Sequence, residues 1–254
     1  MIDMHAHILP GIDDGSPDME QSLAMAALAV EGGTRHLVAT PHSNQAGRFE
    51  NYASDGRLGR LFRSFRRELD RADIPLTVSL GMEIFASDDM YEKIRDHRLI
   101  GLNGSRYYLV EFHFDEDPLT IHRHLMTIFR AGGVPLIAHP ERYFCVQDTP
   151  ALIYEWLQMG CLAQINKGSL FGRFGRDAMR TADTLLFNGL VSCIGSDAHS
   201  PYQRTTHMRD TELYLREHLG PEIAHLLTEE NPTRILNNRP VETRGRLPGA
   251  EYYQ

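Results

Sequence analysis

Three cysteines, Cys145, Cys161 and Cys193, are all that a chain of 254 residues contains. They are too few and too scattered for a disulfide framework, and no zinc-knuckle spacing links them. A reducing cytoplasm is therefore the expected setting. No run of about 18 apolar residues occurs, which argues against membrane spanning. The N-terminus, Met1-Ile2-Asp3-Met4-His5, lacks the basic and then apolar pattern of a secretory signal. Positive charge is also in deficit: 26 Lys and Arg stand against 34 Asp and Glu, a net charge of -8. That balance disfavours a nucleic-acid groove, which depends on broad positive potential. It suits metal ligation. Low-complexity linkers are missing too, so residues 1–241 are expected to form one domain, with 242–254 a flexible tail that carries Tyr252-Tyr253.

What the chain has is a recurring unit: a short apolar run, then polar residues, then a segment of helical period. The unit appears seven times, with the apolar runs ending at His5-Ala6-His7, Thr40-Pro41-His42, Gly81-Met82-Glu83, Glu111-Phe112, His139-Pro140-Glu141-Arg142, Asn166-Lys167 and Ser196-Asp197-Ala198-His199. Successive ends lie 27 to 41 residues apart, the length of a βα unit. Ser16 is the expected cap of a first helix, with Pro17 in its first turn, an apolar stripe of Leu23, Ala27 and Val30, and a stop at Gly32-Gly33. Leu58 to Leu69 reads as a basic amphipathic helix, and Leu119 to Phe129 and Ala151 to Met159 as two more. Seven such units predict an α/β fold, a TIM-barrel-like (β/α) barrel that is distorted or short of eight strands; an open doubly wound sheet would give a similar local pattern.

In a parallel barrel, strand C-termini share one face, so polar residues distant in sequence converge there. The 13 histidines matter through their positions. His5 and His7, one residue apart on a strand, project from the same face and can grip one ion. His42, Glu83, Glu111, His139, Asp197 and His199 occupy the corresponding ends of other strands, and Asp13 and Asp14 follow in the first loop. A carboxylate can bridge two cations, and Glu83 is the natural bridge. Nitrogen and oxygen donors without sulfur suit manganese, iron or zinc better than calcium. His97, His122, His124, His218 and His225 fall in predicted helices, with solvated or partly packed roles. Cys161 and Cys193 sit in apolar runs as small core residues.

The segments Asp3-Met4-His5-Ala6-His7, Ile12-Asp13-Asp14-Gly15, Thr40-Pro41-His42, Ala138-His139-Pro140-Glu141-Arg142 and Gly195-Ser196-Asp197-Ala198-His199 resemble the polymerase-and-histidinol-phosphatase (PHP) superfamily of metal hydrolases. Within it, the chain is most similar to bacterial capsule-associated protein-tyrosine phosphatases, from Met1 through about Val241. The resemblance implies a distorted seven-stranded barrel with three divalent metals, manganese first and iron, zinc or magnesium as alternatives. It assigns His5, His7, Glu83 and Asp197 to one metal, Glu83, Glu111 and His139 to a second, and Asp14, His42 and His199 to a third. It alone prefers Asp14 to Asp13. Arg142 and Arg204 look like phosphate ligands, their planar forks matched to phosphoryl oxygens. Asn166 is a weaker candidate for orienting substrate or ligands, and Lys167 is expected to be exposed. Phe85 stands where many relatives carry a polar or basic residue, and His113 is unexpected after Glu111-Phe112.

The implied reaction is hydrolysis of a phosphomonoester by metal-activated hydroxide, on phosphotyrosines of a capsule or exopolysaccharide tyrosine kinase. The cysteine route is unavailable, because the phosphate loop it requires places an arginine six residues after the nucleophile. Those positions here are Ala151, Lys167 and His199. A small-molecule phosphatase like histidinol-phosphate phosphatase, and a non-enzymatic metal-stabilised interaction protein, are the alternatives; a homo-oligomer is left open.

Overall fold

The computed structural model describes residues 1–241 and 245; apart from Gly245, the tail expected to be flexible lies outside the described residues. Among the described residues there are nine strands, most of them separated by helices: β1 (Ile2–Ala6), β2 (His36–Ala39), β3 (His42–Ser43), β4 (Thr77–Leu80), β5 (Glu83–Phe85), β6 (Tyr107–Glu111), β7 (Val134–Ala138), β8 (Leu162–Asn166) and β9 (Cys193–Gly195). All pairings are parallel. One sheet runs β1-β2-β4 and the other β3-β5-β6-β7-β8-β9. The architecture is thus α/β, built on a curled parallel sheet of six strands beside one of three.

The break between the sheets has a local cause. Proline has no N–H to give to a ladder, and Pro41 separates β2 from β3; Gly81-Met82 separates β4 from β5 at the same level. Backbone bonds nevertheless cross the break, from the Gly81 N–H to the Ala39 carbonyl at 2.8 Å and from Glu83 to Pro41 at 3.2 Å. At the other side, a bridge pairs Ala6 with Ala198, and the His7 and Asp197 N–H groups donate to Ala198 and His5 at 2.9 and 2.8 Å.

Alternate strand residues serve different layers, as the period of two requires. Leu109, Leu136, Leu162 and Cys193 join Met4 and Val38 in one apolar cluster, while Val110, Ile137, Ala163 and Ile194 pack with Met25, Phe65, Ile121 and Ile153 from the helices. Two residues beyond the first set come the polar side chains: Glu111 after Leu109, Gln164 after Leu162. Parallel strands buried on both faces read as apolar until their C-terminal ends, where polarity begins.

The helices at Arg57–Arg71, Pro118–Arg130 and Ala151–Gln158 agree with the sequence reading to within two residues. The first helix, Met19–Glu31, corrects it. Asp18 rather than Ser16 caps it, accepting from the Gln21 N–H at 2.9 Å, and its buried residues are Ser22, Met25, Ala26 and Ala29. Ser16 instead bonds the Asp18 carbonyl and Ser22, tying down the loop ahead of the helix. The buried stripe lies about one residue round from the expected one, which leaves Ala27 exposed and Leu23 and Val30 only partly buried. His97 lies in a turn with φ 55° rather than in a helix, and His124, expected to be solvated or partly packed, is buried beside Asp88. Cys161 and Cys193 are core residues, as expected.

Candidate metal centre

The strand ends bring together all nine residues expected to hold metal. His5 and His7 extend from β1, with both imidazoles fully buried. Three rings have their orientation set from behind. The Nδ1–H of His5 donates to Gln164 Oε1 at 2.9 Å, that of His7 to Asp13 Oδ2 at 2.7 Å, and that of His199 to the Asp197 carbonyl at 3.0 Å. With the proton held on Nδ1, each Nε2 presents its lone pair inward, the arrangement in which an acceptor behind the ring fixes a metal-ligating tautomer.

Glu83, at the start of β5 and 1% exposed, sits at the centre. Its Oε2 lies 3.2 Å from His5 Nε2, 3.1 Å from His7 Nε2 and 3.0 Å from His42 Nδ1, while Oε1 is 2.9 Å from His139 Nε2. Glu111 at the end of β6 reaches His42 Nδ1 at 2.9 Å and His139 at 3.9 Å. Asp14 Oδ1 stands 3.4 Å from His42 Nε2 and 3.6 Å from His199 Nε2. Asp197 turns Oδ1 towards His5 and His7, at 3.7 and 3.5 Å, and gives Oδ2 to Asn166 Nδ2 at 2.6 Å and to the Arg204 guanidinium.

These groups fit divalent cations. Potential ligand atoms fall into three sets, each within 4.8 Å: His5, His7 and Glu83; His42, Glu83 and Glu111; and His7, Asp14, His42 and His199. Glu83, His7 and His42 are each shared between two of them, and His42 stands with Glu83 and Glu111 where His139 was expected. His5 Nε2 and His7 Nε2 face each other at 3.1 Å, a repulsive pairing of lone pairs unless a cation or proton intervenes. Buried polar atoms normally have partners, yet Glu83 Oε2 and His42 Nδ1 are buried and unaligned for any hydrogen bond, although 3.0 Å apart. Without metal the positive charge must come from protons. Burial lowers the pKa of His42, but the charge of Glu83 overrides it and raises it to about 10. Burial pushes Glu83 up, and the imidazoles of His5 and His42 hold it well below the usual carboxylate range.

Several supporting residues were not singled out from sequence. Asp13, which the residues alone left level with Asp14 as a candidate ligand, is the buried acceptor behind His7; it also accepts from the His42 N–H at 2.9 Å and the Gly15 N–H at 3.0 Å. Glu141 is equally buried but faces away, accepting from the Asn166 N–H and Ser169 at 2.9 and 2.6 Å. Asn166 Nδ2 donates to Asp197 Oδ2 at 2.6 Å. Lys167 departs from expectation: it is partly buried, and its Nζ donates to the His207 carbonyl at 2.7 Å.

His139, Asp197 and Arg204 have φ of 35°, 49° and 50°, a left-handed backbone that side-chain-bearing residues rarely adopt. Such strain collects at functional sites. Here it turns the chain sharply at strand ends: His139 caps the short helix Pro140–Arg142, which swings Arg142 back over the same mouth. Arg142 Nη1 lies 3.6 Å from Asp197 Oδ2, so both candidate phosphate-binding arginines converge on one edge of the cluster.

The mouth is a cleft of about 260 Å³, lined by members of the cluster, both arginines, Arg48, Phe85, His113 and Phe114. Phe49 stacks on His42 with ring centroids 5.4 Å apart, and Phe85 meets His113 edge-on at 4.7 Å. The two departures from the family pattern thus pack on each other at the rim. Among the described residues no cysteine lines this cleft. Burial raises all three thiols, Cys161 to about 12, so none is poised as a thiolate.

Residues 1–237 match the family model for capsular polysaccharide synthesis, CpsB/CapC. The chain is 34% identical over 241 residues to the tyrosine-protein phosphatase YwqE of Bacillus subtilis, covering 95% of this chain and 93% of that one. It is 31% identical over 246 residues to the tyrosine-protein phosphatase CpsB of Streptococcus pneumoniae, covering 95% and 100%. The fold superposes with a TM-score of 0.90 and 33% identity, over 98% and 99% of the two chains, on a crystal structure from work on B. subtilis YwqE and S. pneumoniae CpsB, described there as metal-dependent tyrosine phosphatases.

Proposed function

The chain belongs to the CpsB/CapC family of capsular polysaccharide synthesis, and from that membership and the site's geometry we propose that it is a metal-dependent protein-tyrosine phosphatase. One observation carries the reading: buried imidazole and carboxylate groups converge, with Glu83 Oε2 and His42 Nδ1 left without hydrogen-bond partners, beside two guanidinium groups and, among the described residues, without a cysteine. We assign His5, His7, Glu83 and Asp197 to a first divalent ion, Glu83, Glu111 and His139 to a second, and Asp14, His42 and His199 to a third, with manganese as the native metal. When bound, such ions supply Lewis acidity, making water nucleophilic near neutral pH and neutralising phosphoryl charge.

The chain's own residues do the rest. Arg142 and Arg204 bind the phosphoryl oxygens and hold phosphorus against the cluster, positioning that accounts for most of the catalysis in phosphoryl transfer. Asn166 and Arg204 hold Oδ2 of Asp197, which leaves Oδ1 facing the cluster. A tyrosine phenolate, with a pKa near 10, leaves with less need of a proton donor than an alkoxide. That spares the site a general acid. Arg48 and Phe114 at the rim are exposed, which supports access by a protein-borne phosphotyrosine, and we assign an autophosphorylated tyrosine kinase of capsule or exopolysaccharide synthesis as substrate.

We read the nine strand segments as seven, β2 continuing into β3 and β4 into β5, in a single distorted barrel domain over 1–241. The backbone bonds at Gly81, Glu83, His7 and Asp197 support that reading. No helix among the described residues is long and apolar enough to cross a membrane, and the three thiols without a disulfide suit a cytoplasmic site of action. Phosphate release from phosphotyrosine, phosphoserine and histidinol phosphate across defined metals tests the assignment. Phosphotyrosine should be strongly preferred, and a folded His42→Ala variant should lose activity; equal or better turnover of histidinol phosphate would overturn the substrate class.

A further inference from the structure

A second cavity of about 320 Å³ adjoins the catalytic cleft, and Arg204 lines both. Phe174 lines the second cavity, and its ring lies 4.3 Å from the Arg142 guanidinium and 5.5 Å from that of Arg204, in contact with both arginines of the catalytic cleft. The charge there runs against the rest of the molecule. Lys167, Arg173 and Arg204 face a single acid, Asp210, in a chain of net charge -8. Phe171 and Phe174 supply apolar walls.

Lys167 is the informative member. Burial lowers its pKa to about 8; Asp3 and Asp210 oppose that, and the nearby charge of Arg173 adds to it. Its Nζ donates to the His207 carbonyl and, at 3.5 Å, to Thr205 Oγ1, leaving one of three ammonium hydrogens without a partner among the described residues. Two like charges held together in a half-buried cavity cost free energy that an anion between them removes. Resting on the phosphatase reading, we infer that this cavity is a specificity subsite for an anionic side chain adjacent to the phosphotyrosine, a carboxylate or a second phosphate. A peptide whose phosphate meets Arg142 and Arg204 would place its flanking residue over Phe174 into this cavity.

The test measures kcat/KM for phosphotyrosine peptides flanked by glutamate, by a second phosphotyrosine or by alanine, with para-nitrophenyl phosphate as the reference. The intact protein should prefer an anionic flank to alanine by about tenfold, or about 1.4 kcal/mol. The two anionic arms identify which source is favoured. Arg173→Glu should abolish that preference and favour a lysine flank, while Lys167→Met should flatten it; turnover of para-nitrophenyl phosphate should stay unchanged in Arg173→Glu. Equal kcat/KM for anionic and alanine flanks in the intact protein, or a preference surviving both substitutions, overturns the subsite. Failure to hydrolyse even para-nitrophenyl phosphate with metal supplied refutes the phosphatase reading itself, and the subsite with it.

Discussion

Asp13→Asn isolates the support behind the metal cluster without touching a ligand. The carboxylate of Asp13 makes three hydrogen bonds, from His7 Nδ1 at 2.7 Å, the His42 N–H at 2.9 Å and the Gly15 N–H at 3.0 Å. Burial raises its pKa, but His7 reverses this and keeps it below the ordinary value, so the group is ionised. The isosteric amide has one acceptor oxygen instead of two. At least one of the three donors loses its partner, and His7 loses the anion that favours an Nδ1 proton and an inward Nε2 lone pair. Removing such a partner costs about 10- to 100-fold in metal affinity, or about 1.4–2.7 kcal/mol. Chelator competition titrations measure the affinity, and circular dichroism checks that the variant is folded. Excess metal should restore much of its activity, because the ligands remain. Unchanged affinity in the folded variant would refute the role given to Asp13, as would a loss that saturating metal cannot repair.

Three further outcomes follow from the same geometry. In the metal-free protein the pKa of His42 stands at about 10 against its ordinary 6.5. Its stabilising contribution is therefore complete below about pH 6.5 and disappears as pH rises through about 10. Thermal melts of metal-free protein should show a falling midpoint between those values; a rising one would contradict the charge balance. Arg142→Ala should lower kcat/KM for phosphotyrosine by about 10- to 150-fold, the worth of one charge-assisted hydrogen bond at about 1.5–3 kcal/mol, with metal content unchanged by elemental analysis; Arg204→Ala, which also removes a partner of Asp197 Oδ2, should lower it at least as far and weaken metal retention. A Cβ at Gly15 would fall 2.2 Å from the His7 carbonyl oxygen and 2.4 Å from His7 Cβ, so Gly15→Ala should cost about 1–3 kcal/mol of stability and reduce metal content; a wild-type melt would contradict the packing.

Much of this centre was legible because parallel strands turn polar only at their C-termini. His5, His7, His42, Glu83, Glu111, His139, Asp197 and His199 could all be marked from the point where an apolar run stops. What lay out of reach depends on backbone direction. Asp13 and Asp14 are adjacent, and only the bend of the loop decides which backs His7 and which faces His42. Gln164, two residues before a strand end, reads as an interior polar residue until His5 is seen beside it, 159 positions away in the chain. The left-handed turns at His139 and Asp197 carry no glycine to announce them. Lys167 looked exposed because it follows a strand; the loop that covers it, through His207, returns from 40 residues later. The first helix slipped by two residues because Ser16 and Asp18 are both good caps, and the Ser16 hydroxyl is already engaged with the Asp18 carbonyl.

The central claim is that hydrolysis runs through the metal cluster and no thiol. Phosphate release from a phosphotyrosine peptide, followed through metal removal and metal return in a variant with Cys145, Cys161 and Cys193 replaced by alanine, tests it most directly. The cysteine-free protein should retain its activity, lose it on exhaustive chelation and regain it when divalent metal is restored. Activity that survives complete removal of metal, or that vanishes with the cysteines from a folded protein, would contradict the account.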